Sequence, residues 1–245
     1  MSSRPELRLD WCSYAAAKYA VEHWHYSGRM PSSKIVQIGC WEDGVFIGTM
    51  VVGIGASDSL VSPYGLSVFQ ISEIQRIALR AHRSPVSRIL RFAIKMVRSH
   101  SPGLRMLISY ADPFYGHHGA IYQAANWVYT GLTAPDTMLR TPDGRLWHSR
   151  GFSSSGRKKQ WGRYVAVPTR ADGEIIHLPG KHRYLYPLDD GMRTCVEPLA
   201  QPYPKRQKDS SEPPGHRPGE GGAAPTLTLQ HYEVELGGQK AELVE

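Results

Sequence analysis

One stretch of the chain constrains the fold more than any other. Residues 72–131 read as strand, helix, strand, helix: Glu73 to Leu79 extended, Ser84 to His100 helical, Leu104 to Ala111 extended, His117 to Trp127 helical. Two strands joined by a crossover helix run parallel, and such crossovers are almost always right-handed. A functional site in such a unit belongs where the strands end, here at Leu79 and Asp112. Along the first strand Glu73, Gln75, Ile77 and Leu79 alternate with Ile74, Arg76, Ala78 and Arg80. The helix after it has Ser84 at the cap and Pro85 at the first helical position, where a missing N–H does no harm. Val86, Ile89, Leu90, Ala93, Ile94 and Val97 share one helical face, with Arg88, Arg91, Lys95 and Arg98 away from it. The start of this helix combines free N–H groups, a dipole and Arg80, Arg83 and Arg88, a setting that suits a phosphate. An ordinary capped helix with a solvated basic face would look alike, and its position directly after a strand is what favours the phosphate.

Charge is uneven along the 245 residues. From Gln201 on there are five basic and seven acidic residues, so the preceding 200 carry 24 basic against 15 acidic groups. A folded body at +9 suits a polyanionic partner, nucleic acid before an anionic membrane. Cys12, Cys40 and Cys195 are far apart and form no CxxC pair, as expected of a reducing compartment without a structural thiolate zinc. No apolar run is long enough to span a bilayer or open a signal peptide, so a cytoplasmic protein is the expectation.

Around the central unit, Asp10 or Ser13 is placed to cap a first helix from Tyr14 to Tyr26, which Gly28 would end. Tyr14, Ala17, Val21 and Trp24 share its apolar face, and His25 and Tyr26 stand at its end before a loop. KIVQIGCWE and VFIGTMVVGIGA flank Asp43-Gly44, a strong hairpin signal. Gly53 and Gly55 invite a nucleotide-loop reading, but the third glycine and the following helix of a dinucleotide fingerprint are missing. Beyond Gly131, TMLRT, RLWHSR and WGRYVAV read as strands, with FSSSGRKKQ as a Ser/Gly loop between the last two. From Arg140 to Arg163 there are seven Lys/Arg against the single Asp143, interleaved with Trp147, Phe152 and Trp161. That mixture makes Arg157, Lys158 and Lys159, and beyond them Lys181, His182 and Arg183, candidates for nucleic-acid contact. After Pro198 the composition turns to Pro, Gly and polar residues, so one domain over residues 1–198 and a disordered tail over 199–245 are expected. TLTLQHYEVEL within that tail has the pattern of an edge strand.

EIQRIALR, the Ser/Pro turn into a basic-faced helix, and LISYADPFYGHHGAIYQAANWVYTG together resemble the phage Mom family of DNA-modification proteins, itself similar to the GCN5-related N-acetyltransferase fold. The resemblance covers about Tyr14 to Leu188 and is most specific around SYAD and GAIYQAANW. It implies an α/β (α+β) fold, a central mixed β-sheet flanked by helices with a flexible C-terminal tail. It implies a coenzyme A thioester, with the backbone of Ile77 and Leu79 along its pantetheine arm and Ser84, Ser87 and Arg88 at its pyrophosphate. The site it implies contains Tyr26, Arg76, Ser109, Asp112 and Tyr122, the tyrosine standing where the fold protonates a leaving thiolate. Two departures are visible: RAHRSPV replaces the glycine-rich pyrophosphate loop, and Asn126-Trp127 stands where Gly-Phe is typical. The implied reaction places a carbamoylmethyl group on the exocyclic amine of adenine in duplex DNA, guarding phage DNA from restriction. No metal-ligand set is read, although His25 and Tyr26 are of a type that would help hold one.

Other readings keep parts of this pattern. An acyl-coenzyme A-dependent transferase would act on a protein or small-molecule amine. A methyltransferase would use Asp112-Pro113-Phe114-Tyr115 on the target amine and the glycines after Val51 for S-adenosylmethionine, without the helix those glycines need. A non-enzymatic DNA-binding module would leave the polar strand ends unexplained.

Overall fold

The computed structural model describes residues 4–54, 61–160 and 162–205. Of these, residues up to Asp136 and from Leu178 onward form one compact unit, and Thr137–His177 form another.

In the first unit β1 (Leu7–Trp11) leads into α1 (Tyr14–Trp24), which Ser13 caps by accepting the Ala16 N–H at 3.2 Å. Small residues let α1 approach the sheet, burying Ala17, Ala20 and Val21. Tyr14, expected in that stripe, is exposed, because the first helical turn lies outside it. β2 (Ile35–Glu42) and β3 (Val45–Ile54) form the hairpin across Asp43-Gly44, both with positive φ (49° and 79°), as a type I′ turn requires. β4 (Ile71–Leu79), α2 (Val86–His100) and β5 (Met106–Ala111) make the crossover unit, and β4 and β5 are parallel as expected. α2 starts later than the sequence reading: Pro85, in an extended conformation, is the cap, and Ser84 lies outside the helix. Its buried face is Ile89, Leu90, Ala93, Ile94 and Val97.

The second predicted helix contracts to one turn, α3 (Ala120–Gln123). Ahead of it the Asp112 carbonyl accepts the Tyr115 and His117 N–H groups, so His117 belongs to a turn. Gly119 then begins α3 at φ +81°, where a Cβ would sit 2.3 Å from the Tyr184 ring. Behind it Asn126, at φ +60°, ends the segment before the fully buried Trp127. Asparagine is among the few residues other than glycine that tolerate this left-handed conformation, which accounts for Asn126 at a position where the wider fold has glycine. β6 (Val128–Leu132) follows.

The second unit holds β7 (Asp136–Arg140), β8 (Leu146–His148), β9 (Arg157–Gln160), β10 (Arg163–Ala166) and β11 (Glu174–Leu178). β11, β7 and β8 make a three-stranded sheet in that order, and among the described residues β9 and β10 pair with each other alone. β9 was expected as loop. Gly156, at φ +67°, turns the chain just before it, and the antiparallel register with β10 supplies the ladder that its Lys/Arg-rich sequence does not announce.

The chain then returns to the first unit with β12 (His182–Pro187) and α4 (Asp190–Val196), neither of which the sequence marked as an element. Asp189 caps α4 by accepting the Met192 N–H at 2.8 Å, and takes both ends of a fork from Arg105 at 2.8 Å. The finished sheet runs β1-β2-β3-β4-β5-β12-β6, mixed, with helices on both faces, which is the fold class expected. Contacts continue past residue 198: the Gln201 N–H reaches the Tyr129 carbonyl at 2.8 Å and the Tyr203 hydroxyl donates to the Trp127 carbonyl at 2.7 Å. Gly55, Trp161 and the segment TLTLQHYEVEL lie outside the described residues. Among the described residues no helix is long and apolar enough to cross a membrane.

The two sheet faces are distinct. Ile74, Leu107 and Tyr184 join the α2 face in the main apolar cluster. Side chains of paired residues share a face and neighbours alternate, so Val51 and Ala78 pack under α1 while Ile71, Met106, Ile108 and Leu185 pack with Met192 and Val196 of α4. One sheet face thus carries two separate apolar clusters, and the strip between them is polar.

Candidate active site

A β-bulge builds that strip. Val51 pairs with Arg76 and Val52 with Ile74, leaving Gln75 as an extra residue in β4. Strict alternation would put Arg76 on the face opposite Glu73. The bulge resets the count, so Glu73 and Arg76 project from one face, and Ile77 and Leu79 turn into the α2 cluster. Opposite Glu73 on β3 stands Gly53, which also pairs with Ile35 of β2 on its other side. The β4–β5 ladder ends at the Ile74–Ser109 pair, although both strands continue. The strands therefore part beyond Ser109, and the gap opens beside Arg76, Tyr110 and Asp112.

Around the gap the side chains are tied to one another. The Arg76 guanidinium donates to the carbonyls of Arg29 (3.2 Å) and Gln75 (2.6 Å). Tyr26, just after α1, packs on Tyr115 and His117 with ring centroids 4.6 and 5.0 Å away. Asp112 is buried, accepts the Phe114 N–H at 3.1 Å and pairs with Lys181 Nζ at 3.1 Å. His25 Nδ1 accepts the Ser27 N–H at 3.1 Å, which leaves the ring proton on Nε2.

Ser109 and Tyr122 lie on the α2 side, at the floor of the gap. The Ser109 hydroxyl is 2.9 Å from the Ile74 carbonyl and 2.6 Å from the Tyr122 hydroxyl. A carbonyl only accepts, so with the Ser109 proton on Ile74 the Tyr122 hydroxyl donates to Ser109 Oγ. The structure thus joins Tyr26, Arg76 and Asp112 on one side of the gap and Ser109 with Tyr122 on the other.

Desolvation dominates the electrostatics. Burial, helped by the nearby charges of Arg76 and His117, pushes His25 down to about 3, so it is neutral at pH 7. Burial pushes Tyr26 up to about 12, and Asp112 adds to the rise. Tyr122 is likewise raised by burial, so its hydroxyl keeps its proton. Glu73 is a site residue the sequence reading did not assign. Burial raises its carboxyl above the ordinary range against the pull of Gln75, Arg76 and Lys181. The available signal was its place in EIQRI, one turn of the strand from Arg76, but the bulge that unites the two is invisible in the sequence.

The expected phosphate cradle is altered. The Glu42 carboxylate, buried at the end of β2, accepts the N–H groups of Ser84 (2.7 Å) and Arg83 (2.8 Å). Arg83 also pairs with Asp43, and Arg88 is turned inward to the Pro5 carbonyl (2.9 Å) and Ser84 Oγ (3.3 Å). Ser84 and Arg88 are therefore spent on anchoring the loop. Among the described residues the N–H groups of Val86 and Ser87, at the uncapped start of α2, have no partner.

The remaining expected contacts divide as sharply. Lys181 belongs to the site through Asp112. His182 Nδ1 is 3.0 Å from the Tyr129 hydroxyl, and the Arg183 guanidinium donates to Thr130 Oγ1 (2.8 Å) and the Thr130 carbonyl (3.1 Å). Arg157, Lys158 and Lys159 lie in the second unit, on β9. Among the described residues no group of three or more His, Cys, Asp or Glu side chains is arranged to hold a metal ion.

All of these elements fall within residues 6–205, the span that matches the model of the Mom protein family. The chain belongs to the Mom family. A relative, Methylcarbamoylase mom of Escherichia phage Mu, is 25% identical over 209 residues, covering 82% of this chain and 84% of that protein. Solved structures similar to this Mom-family chain include a putative acetyltransferase from Acinetobacter baylyi, with TM-score 0.42 and 13% identity over 77% of this chain and 96% of that one. A putative acetyltransferase from Salmonella typhimurium with its cofactor acetyl-CoA gives TM-score 0.41 and 12% identity, over 75% and 95% of the two chains.

Proposed function

We propose that this Mom-family chain is a transferase that places a carbamoylmethyl group on the exocyclic amine of adenine in duplex DNA. The observation that carries the reading is the convergence of Tyr26, Glu73, Arg76 and Asp112 beside the gap between β4 and β5, in a chain similar to a methylcarbamoylase. The protection of phage DNA from restriction would follow from the bulk of the adduct.

An adenine amine inside a stacked duplex is out of reach, so the nucleotide is extruded. Tyr26 and Tyr115 offer ring faces for the base, and Asp112, fixed by Lys181 and the Phe114 N–H, accepts a hydrogen bond from the amine. The exocyclic amine is a weak nucleophile because its lone pair is delocalised into the ring. It gains strength if a proton leaves as the N–C bond forms, and Glu73 is the base suited to take it. Asp112 is less suited, because its carboxylate is already engaged by Lys181 and the Phe114 N–H. Arg76 steadies a carbonyl or anionic oxygen on the donor.

A coenzyme A thioester would fit the parted strands and the N–H groups of Val86 and Ser87, beside Ser84, whose N–H is held by Glu42, and Arg88, which is held by the Pro5 carbonyl. When bound it would supply a two-carbon unit activated at its carbonyl; because the adduct is joined through the methylene carbon, that carbon needs activation beyond the thioester and the amide nitrogen needs a separate nitrogen donor. Tyr122, hydrogen-bonded to Ser109 at the floor of the gap, holds a proton there for a departing group.

Mass spectrometry of nucleosides from plasmid DNA, recovered from bacteria making this chain, tests the proposal. Asp112→Asn is the control, since it retains an acceptor for the Phe114 N–H. Adenosine heavier by a carbamoylmethyl group, and absent with the variant, is the expected result. A methyl increment, or unmodified DNA from folded wild-type protein, would overturn it.

A further inference from the structure

The second unit contains a ribbon whose two faces differ. In the β9–β10 register Arg157 is opposite Ala166, Lys158 opposite Val165, and Lys159 opposite Tyr164. Opposed residues share a face. One face therefore carries Arg157, Lys159, Tyr164 and Ala166, and the other carries Lys158, Gln160, Arg163 and Val165. Away from the turn burial divides the same way: the first four are exposed and the Lys158–Val165 pair is half-buried, while Gln160 and Arg163 beside the turn are exposed. Tyr164 is 72% exposed, between two cations on the outer face. Among the described residues no carboxylate pairs with Arg157, Lys158, Lys159 or Arg163.

These features are unfavourable in isolation. A two-stranded ribbon is marginal on its own. Unneutralised cations on one short strand repel, and an aromatic ring in water forgoes the burial it would gain elsewhere. A polyanion with flat apolar surface between its charges relieves all three. An anionic membrane would want more apolar surface than one ring and Ala166 provide. The DNA major groove, by contrast, is wide enough for a two-stranded β-ribbon.

We infer that the outer face of this ribbon docks in the major groove of duplex DNA, with Arg157 and Lys159 on phosphates and Tyr164 against base edges. Lys158 stays outside the interface. The inference rests on the DNA reading above and adds a reading element that is separate from the chemical site.

Fluorescence anisotropy with a labelled duplex and the full chain, titrated at several salt concentrations, tests it. The double variant Arg157→Ala/Lys159→Ala should lower the slope of log affinity against log salt by about 1.8, since each phosphate contact contributes about 0.9. Tyr164→Thr, which keeps strand propensity, should weaken binding about tenfold with the slope unchanged, as for loss of one base contact. Lys158→Ala should change neither. Wild-type slope in the double variant, wild-type affinity in Tyr164→Thr, or a Lys158→Ala effect equal to the double variant's would overturn the ribbon assignment. If the wild type binds and modifies DNA while the variants behave like it, only the ribbon falls. If the wild type binds no duplex, the DNA reading falls with it.

Discussion

Replacing Glu42 by alanine should destabilise the protein far more than its distance from the chemistry would lead one to expect. Its carboxylate accepts the Arg83 and Ser84 N–H groups at 2.8 and 2.7 Å, and removal strands the buried Ser84 donor and the part-buried Arg83 donor. Each buried, unsatisfied donor costs about 1–3 kcal/mol, so the variant should lose about 2–5 kcal/mol. At about 2–4 °C per kcal/mol for a unit of this size, the thermal midpoint should fall by about 4–20 °C. Glu42→Gln keeps one acceptor oxygen but turns an amide NH2 toward the other donor, and should fall roughly half as far. Burial pushes the Glu42 carboxyl up, yet the N–H donors of Arg83 and Ser84 outweigh it and leave it lowered. A lowered acid stabilises above its unfolded value, about 4.5, and that contribution is lost as pH falls through the folded value. The gap between wild type and Glu42→Gln should therefore narrow on acidification below about 4.5, as protonated glutamate comes to resemble glutamine. Circular dichroism melts of the three proteins at pH 7 and pH 4 make the measurement. A Glu42→Ala midpoint within about 1 °C of wild type at pH 7 would refute the anchoring role.

Two further outcomes follow from the site. Glu73→Gln should cut the modification rate by about 10²–10⁴, as expected on removing a general base. It should also remove an acid limb that, in the wild type, lies above the ordinary glutamate range because burial raises Glu73; an intact limb in the variant would exclude this base. For His25, burial, Arg76 and His117 lower the folded value to about 3 against 6.5 unfolded. Its contribution is present above 6.5 and lost as pH falls toward 3, so wild type should lose about 1–2 kcal/mol more than His25→Gln between pH 7 and pH 5 in urea titrations; equal losses would show that His25 titrates normally.

The parts of the fold that were legible in the sequence are those set by neighbouring residues. Asp43-Gly44 announces its hairpin, and the apolar spacing from Val86 to Val97 announces α2 and the face it buries. Asp112 and Tyr26 are legible as candidate site residues because each follows the end of an element. What escaped depends on partners far along the chain. β12 finds its place between β5 and β6 through pairing across more than fifty residues, and nothing in HRYLYP states that choice. The bulge at Gln75 exists only against β3, and it decides which face Arg76 joins. Glu42 reaches Ser84 across 42 positions, so the helix start that looked free for phosphate is partly taken. Gly119 and Asn126 shortened the second helix by adopting left-handed conformations at either end of α3, something the apolar spacing did not reveal.

The late arrival of β12 has a consequence for how the molecule is made. β5 and β6 are both synthesised before the strand that separates them, with the whole of the second unit in between. Until residue 187 has emerged, the nascent sheet has an exposed edge on β5 and no ladder to hold β6. Asp112 likewise waits 69 positions for Lys181. The gap between β4 and β5 is therefore among the last features to be completed, and closing so long a loop before its contacts reward it slows folding. Completion of the candidate site is thus coupled in time to completion of the chain, so an interrupted product would carry the aromatic rings and the carboxylates without the strand that sets their spacing.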